Sequence, residues 1–266
     1  MRRALVLVLL LLTASCSAGS PTPAPGPVTS TTVTLPPEIP GPGDQATAFL
    51  DNEGTVRRYL VHAPASYTPD KKYPLVVVFH GQPGAAEDMV GLTKMNDVAD
   101  ANGFLVVYPQ NVTDSDAVSD LLDHFGPKWN VDPKQIHVAG FSRGGSLVYR
   151  LAIEMPGRFG SVAPVSASHN ETVTLSAPLS LIAFQGSRDS LWVAWSTTNA
   201  AWDAGAGCSD ETVTAVSLQA GPTSVSTKTC GQGTEHVVYS ITGMSHTWPA
   251  GASELIWEFF AKHPLA

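Results

Sequence analysis

The sequence carries little charge. Charged residues make up 14% of it, with 15 Lys and Arg against 23 Asp and Glu, for a formal net charge of −8. No run of basic residues follows Arg2 and Arg3, so nucleic acid is excluded as an expected partner. No group of Cys, His, Asp and Glu has metal-ligand spacing, and no Gly-rich loop suits nucleotide phosphates. Neither a metal nor a cofactor is therefore expected. Internal repeats are absent as well. What is abundant is apolar: 43% of residues are hydrophobic, which suits a globular core and argues against wholesale disorder.

The apolar run Ala4–Leu12 falls short of the about 20 residues that a bilayer-spanning helix needs. Behind Arg2 and Arg3 it fits the core of a signal peptide instead, over residues 1–15. Small residues lead into Cys16 as Thr13-Ala14-Ser15-Cys16. This resembles the lipobox of bacterial lipoproteins, with Thr13 where Leu is usual. Cys16 is then either lipidated, tethering an exported protein to the bacterial envelope membrane, or incidental to ordinary cleavage and secretion. Of the three cysteines, Cys208 and Cys230 remain, either as a disulfide in an oxidising compartment or as two buried thiols. Residues 16–44 are rich in Pro, Ser, Thr and Gly and read as an extended linker. Residues 45–266 read as one domain, expected to be a monomer.

Within that domain strands and helices alternate. Strands are expected at Thr55–His62, Leu75–His80, Phe104–Tyr108, Gln135–Ala139, Ser161–Val165, Leu179–Phe184 and His236–Ile241. Helices are expected at Ala85–Asn102, Asp116–Phe125, Gly144–Glu154, Trp195–Ala204 and Ala252–Ala261. Such alternation implies an α/β fold with a mainly parallel sheet and helices on both faces.

Gly140-Phe141-Ser142-Arg143-Gly144 stands between an expected strand and an expected helix, the setting of a nucleophile elbow. A serine hydroxyl needs an oriented base to become nucleophilic. In the α/β-hydrolase order an acid follows the serine and a histidine follows the acid. Asp189, beyond the strand Leu179–Phe184, and His246, beyond the last strand, satisfy that order. Asp203 and Asp210 are rivals for the acid, and His236 for the histidine. An oxyanion hole is expected from the backbone N–H of Arg143 and of Gln82, or else Gly81, with His80 bracing the loop.

The segments Tyr73–Gly81, Gly103–Pro109, Val131–Gly145, Trp202 with Gly207-Cys208, and Gly243–Pro249 together resemble the polyhydroxybutyrate depolymerase and feruloyl esterase family. The resemblance covers about residues 50–262. It implies an α/β-hydrolase fold, a secreted carboxylic ester hydrolase without a cofactor, and a triad of Ser142, Asp189 and His246. It also implies a disulfide at Cys208 and Cys230. The substrate would be a feruloyl or acetyl polysaccharide ester or a short polyhydroxyalkanoate-type ester, in some cases polymeric. His80, Trp192 and Trp248 are expected to border the substrate pocket, and Trp195 to pack in the core. Gln110–Ser115 is shorter than in relatives, Ser190 stands where Pro is common, and Arg143 replaces a small residue, so specificity is not carried over. A serine peptidase of the same fold and a non-catalytic surface binding protein are the competing classes.

Overall fold

A strand covered on both faces must be apolar at every position, and several segments of this chain meet that demand. The computed structural model describes Leu35 and residues 37–266. The anticipated signal peptide, Cys16 and most of the linker lie outside the described residues. The chain forms β1 (Gly43–Leu50), β2 (Val56–Ala63), β3 (Tyr73–Phe79), α1 (Ala86–Thr93), α2 (Met95–Asn102) and β4 (Leu105–Pro109). It continues through α3 (Ser115–Lys128), β5 (Val131–Phe141), α4 (Arg143–Glu154), β6 (Ser161–Val165) and β7 (Ser180–Gly186). The last elements are α5 (Trp192–Ala206), β8 (Ser209–Leu218), β9 (Gly221–Thr229), β10 (Glu235–Ile241) and α6 (Ala252–Phe260).

All ten strands join one sheet in the order β1-β2-β4-β3-β5-β6-β7-β10-β9-β8. The central strands from β4 to β10 pair in parallel, while β1 with β2 and β9 with β8 add antiparallel edges. Alternation explains the unbroken apolar runs. Leu75 and Val77 of β3 point to the face covered by α3, α4 and α5, whereas Val76 and Val78 point to the face covered by α1, α2 and α6. Each such side chain, fully removed from water, contributes roughly 1.5–3 kcal/mol.

Three expectations need correction. The single helix expected over Ala85–Asn102 is two, broken at Lys94 with φ 56°. The hydroxyl of Thr93 donates to the Met89 carbonyl and accepts from the Met95 N–H, so the chain turns there without leaving those groups unpaired. The strand β1 begins inside the expected linker, at Gly43. Even before it, the buried Glu38 carboxylate holds the chain to the domain. Its Oε1 accepts from Tyr59 Oη (2.5 Å) and Trp129 Nε1 (2.6 Å), and its Oε2 faces His124 Nε2 (2.9 Å) and Lys128 Nζ (2.7 Å). Finally, the hairpin β8–β9 lies outside the expected strands: β8 is exposed from Ser209 to Ser217 and polar throughout Ser209–Thr212, so its apolar alternation is too short to mark a half-buried strand.

A Cys208–Cys230 disulfide joins the residue just before β8 to the residue just after β9. This closes the stretch between the expected catalytic acid and histidine.

Candidate active site

Strand β5 ends at Phe141 and helix α4 begins at Arg143, leaving Ser142 alone to reverse the chain. Its backbone sits at φ 54°, ψ −118°, a conformation that costs a non-glycine residue of order 1–3 kcal/mol. Two hydrogen bonds hold it: the Ser142 N–H donates to the Val165 carbonyl, and the Ser146 N–H to the Ser142 carbonyl, each at 3.0 Å. The turn is so tight that a Cβ on Gly140 would run into the backbone of Gly144, and one on Gly144 would lie 2.7 Å from the His80 carbonyl. Those contacts explain the glycine on either side of the serine.

Strand β7 delivers the acid. Asp189 follows it in a turn, with its side chain out of contact with solvent. Its Oδ1 accepts the Leu191 N–H at 2.9 Å, and its Oδ2 lies 2.8 Å from His246 Nδ1. A carboxylate can only accept, so Nδ1 carries the proton and Nε2 presents its lone pair. That lone pair faces Ser142 Oγ at 2.9 Å.

The loops carrying Asp189 and His246 are stitched together. The Ser187 N–H donates to the Ile241 carbonyl (2.9 Å), the Arg188 N–H to the Met244 carbonyl (3.0 Å), and the Gly243 N–H to Ser187 Oγ (2.9 Å). Gly186 lies so close to the Met244 carbonyl that a Cβ there would collide with it. Phe141 packs beside the imidazole, ring centroids 4.9 Å apart. Sequence reasoning missed Ser187, Gly186 and Phe141 as positioning residues. The glycine ending β7 was the one available signal.

The His80–Gln82 loop crosses over the elbow. A Cβ on Gly81 would stand 3.0 Å from the Phe141 ring and 3.2 Å from Ser142 Cβ. His80 bonds within this loop: Nδ1 donates to the Gly81 carbonyl (2.7 Å), and Nε2 accepts the Asn111 N–H (3.3 Å). The backbone N–H groups of Gln82 and Arg143 have no acceptor among the described residues, which leaves both available to a ligand. Beside Ser142 opens a cleft of about 660 Å³ bounded by Gly81, Gln82, Arg143, Arg150, His169 and Glu171, among others. Burial holds the His169 imidazole below its ordinary pKa; the Arg150 charge acts in the same direction and those of Glu171 and Glu154 against it.

Comparison with solved structures matches the architecture. An acetyl xylan esterase from Aspergillus awamori superposes with a TM-score of 0.66 at 14% identity, over 82% of this chain and 99% of that one. The feruloyl esterase module from Clostridium thermocellum gives 0.62 at 14% identity, over 86% and 93%.

The fold is that of the α/β-hydrolases.

In sequence, the Esterase family model ("Putative esterase") matches residues 115–236 of this chain. The match takes in Ser142 and Asp189 and stops short of His246. "Putative esterase NocK" of Nocardia uniformis subsp. tsuyamanensis is 31% identical over 52% of this chain and 46% of its own length. "Feruloyl esterase B" of Thermothelomyces thermophilus is 26% identical over 46% of this chain and 47% of its own. The chain thus spans about half the length of these curated relatives.

Two expected pocket residues, Trp192 and Trp248, do not line the cleft. Trp248 is buried in the core on the α6 face, where its Nε1 donates to Ser253 Oγ at 3.1 Å. Trp192 opens α5 and packs on the buried Trp195, ring centroids 5.2 Å apart. The cleft is bounded instead by polar side chains from α4 and the loops at 80–84, 111–113 and 168–171.

Two of the rival residues, Asp203 and His236, bond each other instead. Asp203 meets His236 Nδ1 (2.7 Å) and Lys228 Nζ (2.6 Å), joining α5 to β9 and β10, with no serine in the arrangement. Burial works to raise the Asp203 pKa, but those two partners outweigh it and hold the carboxyl below its ordinary value. Asp203, His236 and Cys208 form the one group of would-be metal ligands among the described residues. Its sulfur is committed to the disulfide, so it offers no thiolate.

Proposed function

We propose that this chain is an exported serine carboxylesterase that works through an acyl-enzyme on Ser142. The observation that carries the reading is the unbroken relay from Ser142 Oγ to His246 Nε2 (2.9 Å) and from His246 Nδ1 to Asp189 Oδ2 (2.8 Å). In this mechanism Nε2 takes the serine proton as Oγ attacks the ester carbonyl. Asp189 holds the ring in the Nδ1–H tautomer and stabilises the imidazolium that forms. The oxyanion of the tetrahedral intermediate is met by the N–H groups of Arg143 and Gln82, each such donor being worth about 10²–10³ in rate. His246 then gives its proton to the leaving alcohol. Water, activated by the same nitrogen, releases the acid.

The names of the relatives, acetylxylan and feruloyl esterases among them, favour acyl groups on plant polysaccharide as substrates. Short polyhydroxyalkanoate-type esters are the second class to assay. Residues 1–15 act as a signal peptide in this reading, and 16–44 as a linker whose diacylated Cys16 tethers a monomeric enzyme to a membrane, since two acyl chains anchor stably where one does not.

A panel of p-nitrophenyl, feruloyl, acetylxylan and hydroxybutyrate esters tests the activity. Turnover should be present in the wild type and lost by about 10⁴–10⁶ in Ser142→Ala. Wild-type rates in Ser142→Ala would overturn the assignment. Labelled palmitate that enters the wild type but not Cys16→Ser tests the tether separately.

A further inference from the structure

The cleft beside Ser142 has an electrostatic bias that the reaction itself does not require. One face of α4 lines it, through Arg143, Gly144, Ser146, Leu147 and Arg150. Arg143 and Arg150 stand seven residues apart, two turns and about 10 Å along the same side of the helix. Arg150 is committed: it bonds the Thr113 carbonyl, and its Nε lies 3.5 Å from Glu154. Arg143 is not. Its side chain is exposed and, like those of Arg58 and Arg188, has no carboxylate partner among the described residues, but of these three only Arg143 lines the cleft. The lining contains a single carboxylate, Glu171, in a chain whose net charge is −8. An acidic protein whose cleft carries an unpaired arginine at the position directly after its nucleophile is arranged to meet a negative group there.

We infer that Arg143 is a specificity-determining residue, selecting esters that carry a carboxylate within a few bonds of the scissile carbonyl. This rests on the serine esterase reading. The guanidinium offers a planar fork of donors that matches a carboxylate in a way an ammonium does not. The carboxylate belongs to either the acyl or the alcohol part of the ester, for example a dicarboxylic acid half-ester or a uronate-bearing alcohol, and the assay separates the two.

The test compares kcat/KM for matched pairs on the full chain. The acyl arm sets 4-nitrophenyl hemiglutarate against 4-nitrophenyl valerate. The alcohol arm sets 3-carboxy-4-nitrophenyl butyrate against 4-nitrophenyl butyrate. The charged-to-neutral ratio is the readout, because it cancels any common effect on catalysis. Arg143→Gln should lower that ratio about 10-fold on one arm, and Arg143→Lys should keep part of it. Glu171→Gln should raise it, and salt should lower it in the wild type. An unchanged ratio on both arms in Arg143→Gln, or a fall in Glu171→Gln, overturns the inference. If Arg143→Gln does not fold, Glu171→Gln and the salt dependence still decide it. A wild type that hydrolyses neutral esters with no response to charge refutes this inference alone. One that hydrolyses none of these four esters, nor any of the panel named above, takes down the esterase reading with it.

Discussion

Replacing Glu38 by Ala should destabilise the domain by about 3 kcal/mol, although Glu38 lies in a Pro-rich stretch that reads as linker. The figure follows from which donors are stranded. Tyr59 Oη and Trp129 Nε1 both bond Glu38 Oε1, and both residues are buried, at 1% and 0% exposure. A buried donor left without an acceptor costs about 1–3 kcal/mol. His124 and Lys128 on Oε2 are 27% and 36% exposed, and water compensates them in large part. Glu38→Gln should cost only about 1 kcal/mol, because one amide oxygen can serve both Tyr59 and Trp129 while Lys128 swings into solvent. For a domain of this size the alanine variant translates to a drop in Tm of about 6–12 °C, readable by calorimetry at pH 7. Burial works to raise the Glu38 pKa, but its four partners hold it below the ordinary value. The stability it supplies is therefore complete above the unfolded value and is lost as pH falls through the folded one. Equal Tm values for wild type, alanine and glutamine variants would refute the reasoning.

Three further outcomes are expected. Opening the Cys208–Cys230 bridge, by reduction or as Cys208→Ser with Cys230→Ser, should lower stability by about 3 kcal/mol in urea titrations. Gly186→Ala should push the Asp189 turn away from the Met244 carbonyl and cut kcat/KM by about 100-fold, with far-UV circular dichroism unchanged. Burial, reinforced by the charge of His263, pulls the His137 pKa down to about 3. The unfolded chain then binds the proton first, so stability should fall as pH drops from the usual histidine value towards 3, by up to about 1.4 kcal/mol per pH unit. His137→Phe should flatten that part of the profile in pH-dependent denaturation.

The parts of the fold written in repeating chemistry were legible in the sequence. Strands β3, β4, β6 and β7 are apolar at nearly every position because both faces are covered. The elbow at Ser142 announces itself because no residue but glycine fits on either side of it. The hairpin β8–β9 was illegible because an edge strand exposed over most of its length carries too short an apolar alternation to mark it. The Glu38 clamp was hidden for a different reason: its partners, Tyr59, His124, Lys128 and Trp129, are distant in sequence and meet only in the folded chain. Trp248 suited a pocket by composition, but an indole fits a core equally well, and it is buried on the α6 face, while Trp192 stays half-buried against Trp195.

The central claim is that Ser142 is a nucleophile activated by His246. Intact-protein and peptide mass spectrometry after treatment with a fluorophosphonate tests it most directly. One adduct should form, on the peptide containing Ser142, with a labelling rate that collapses in His246→Ala and no adduct in Ser142→Ala. An adduct on another residue, or wild-type labelling of Ser142 in His246→Ala, would contradict the account.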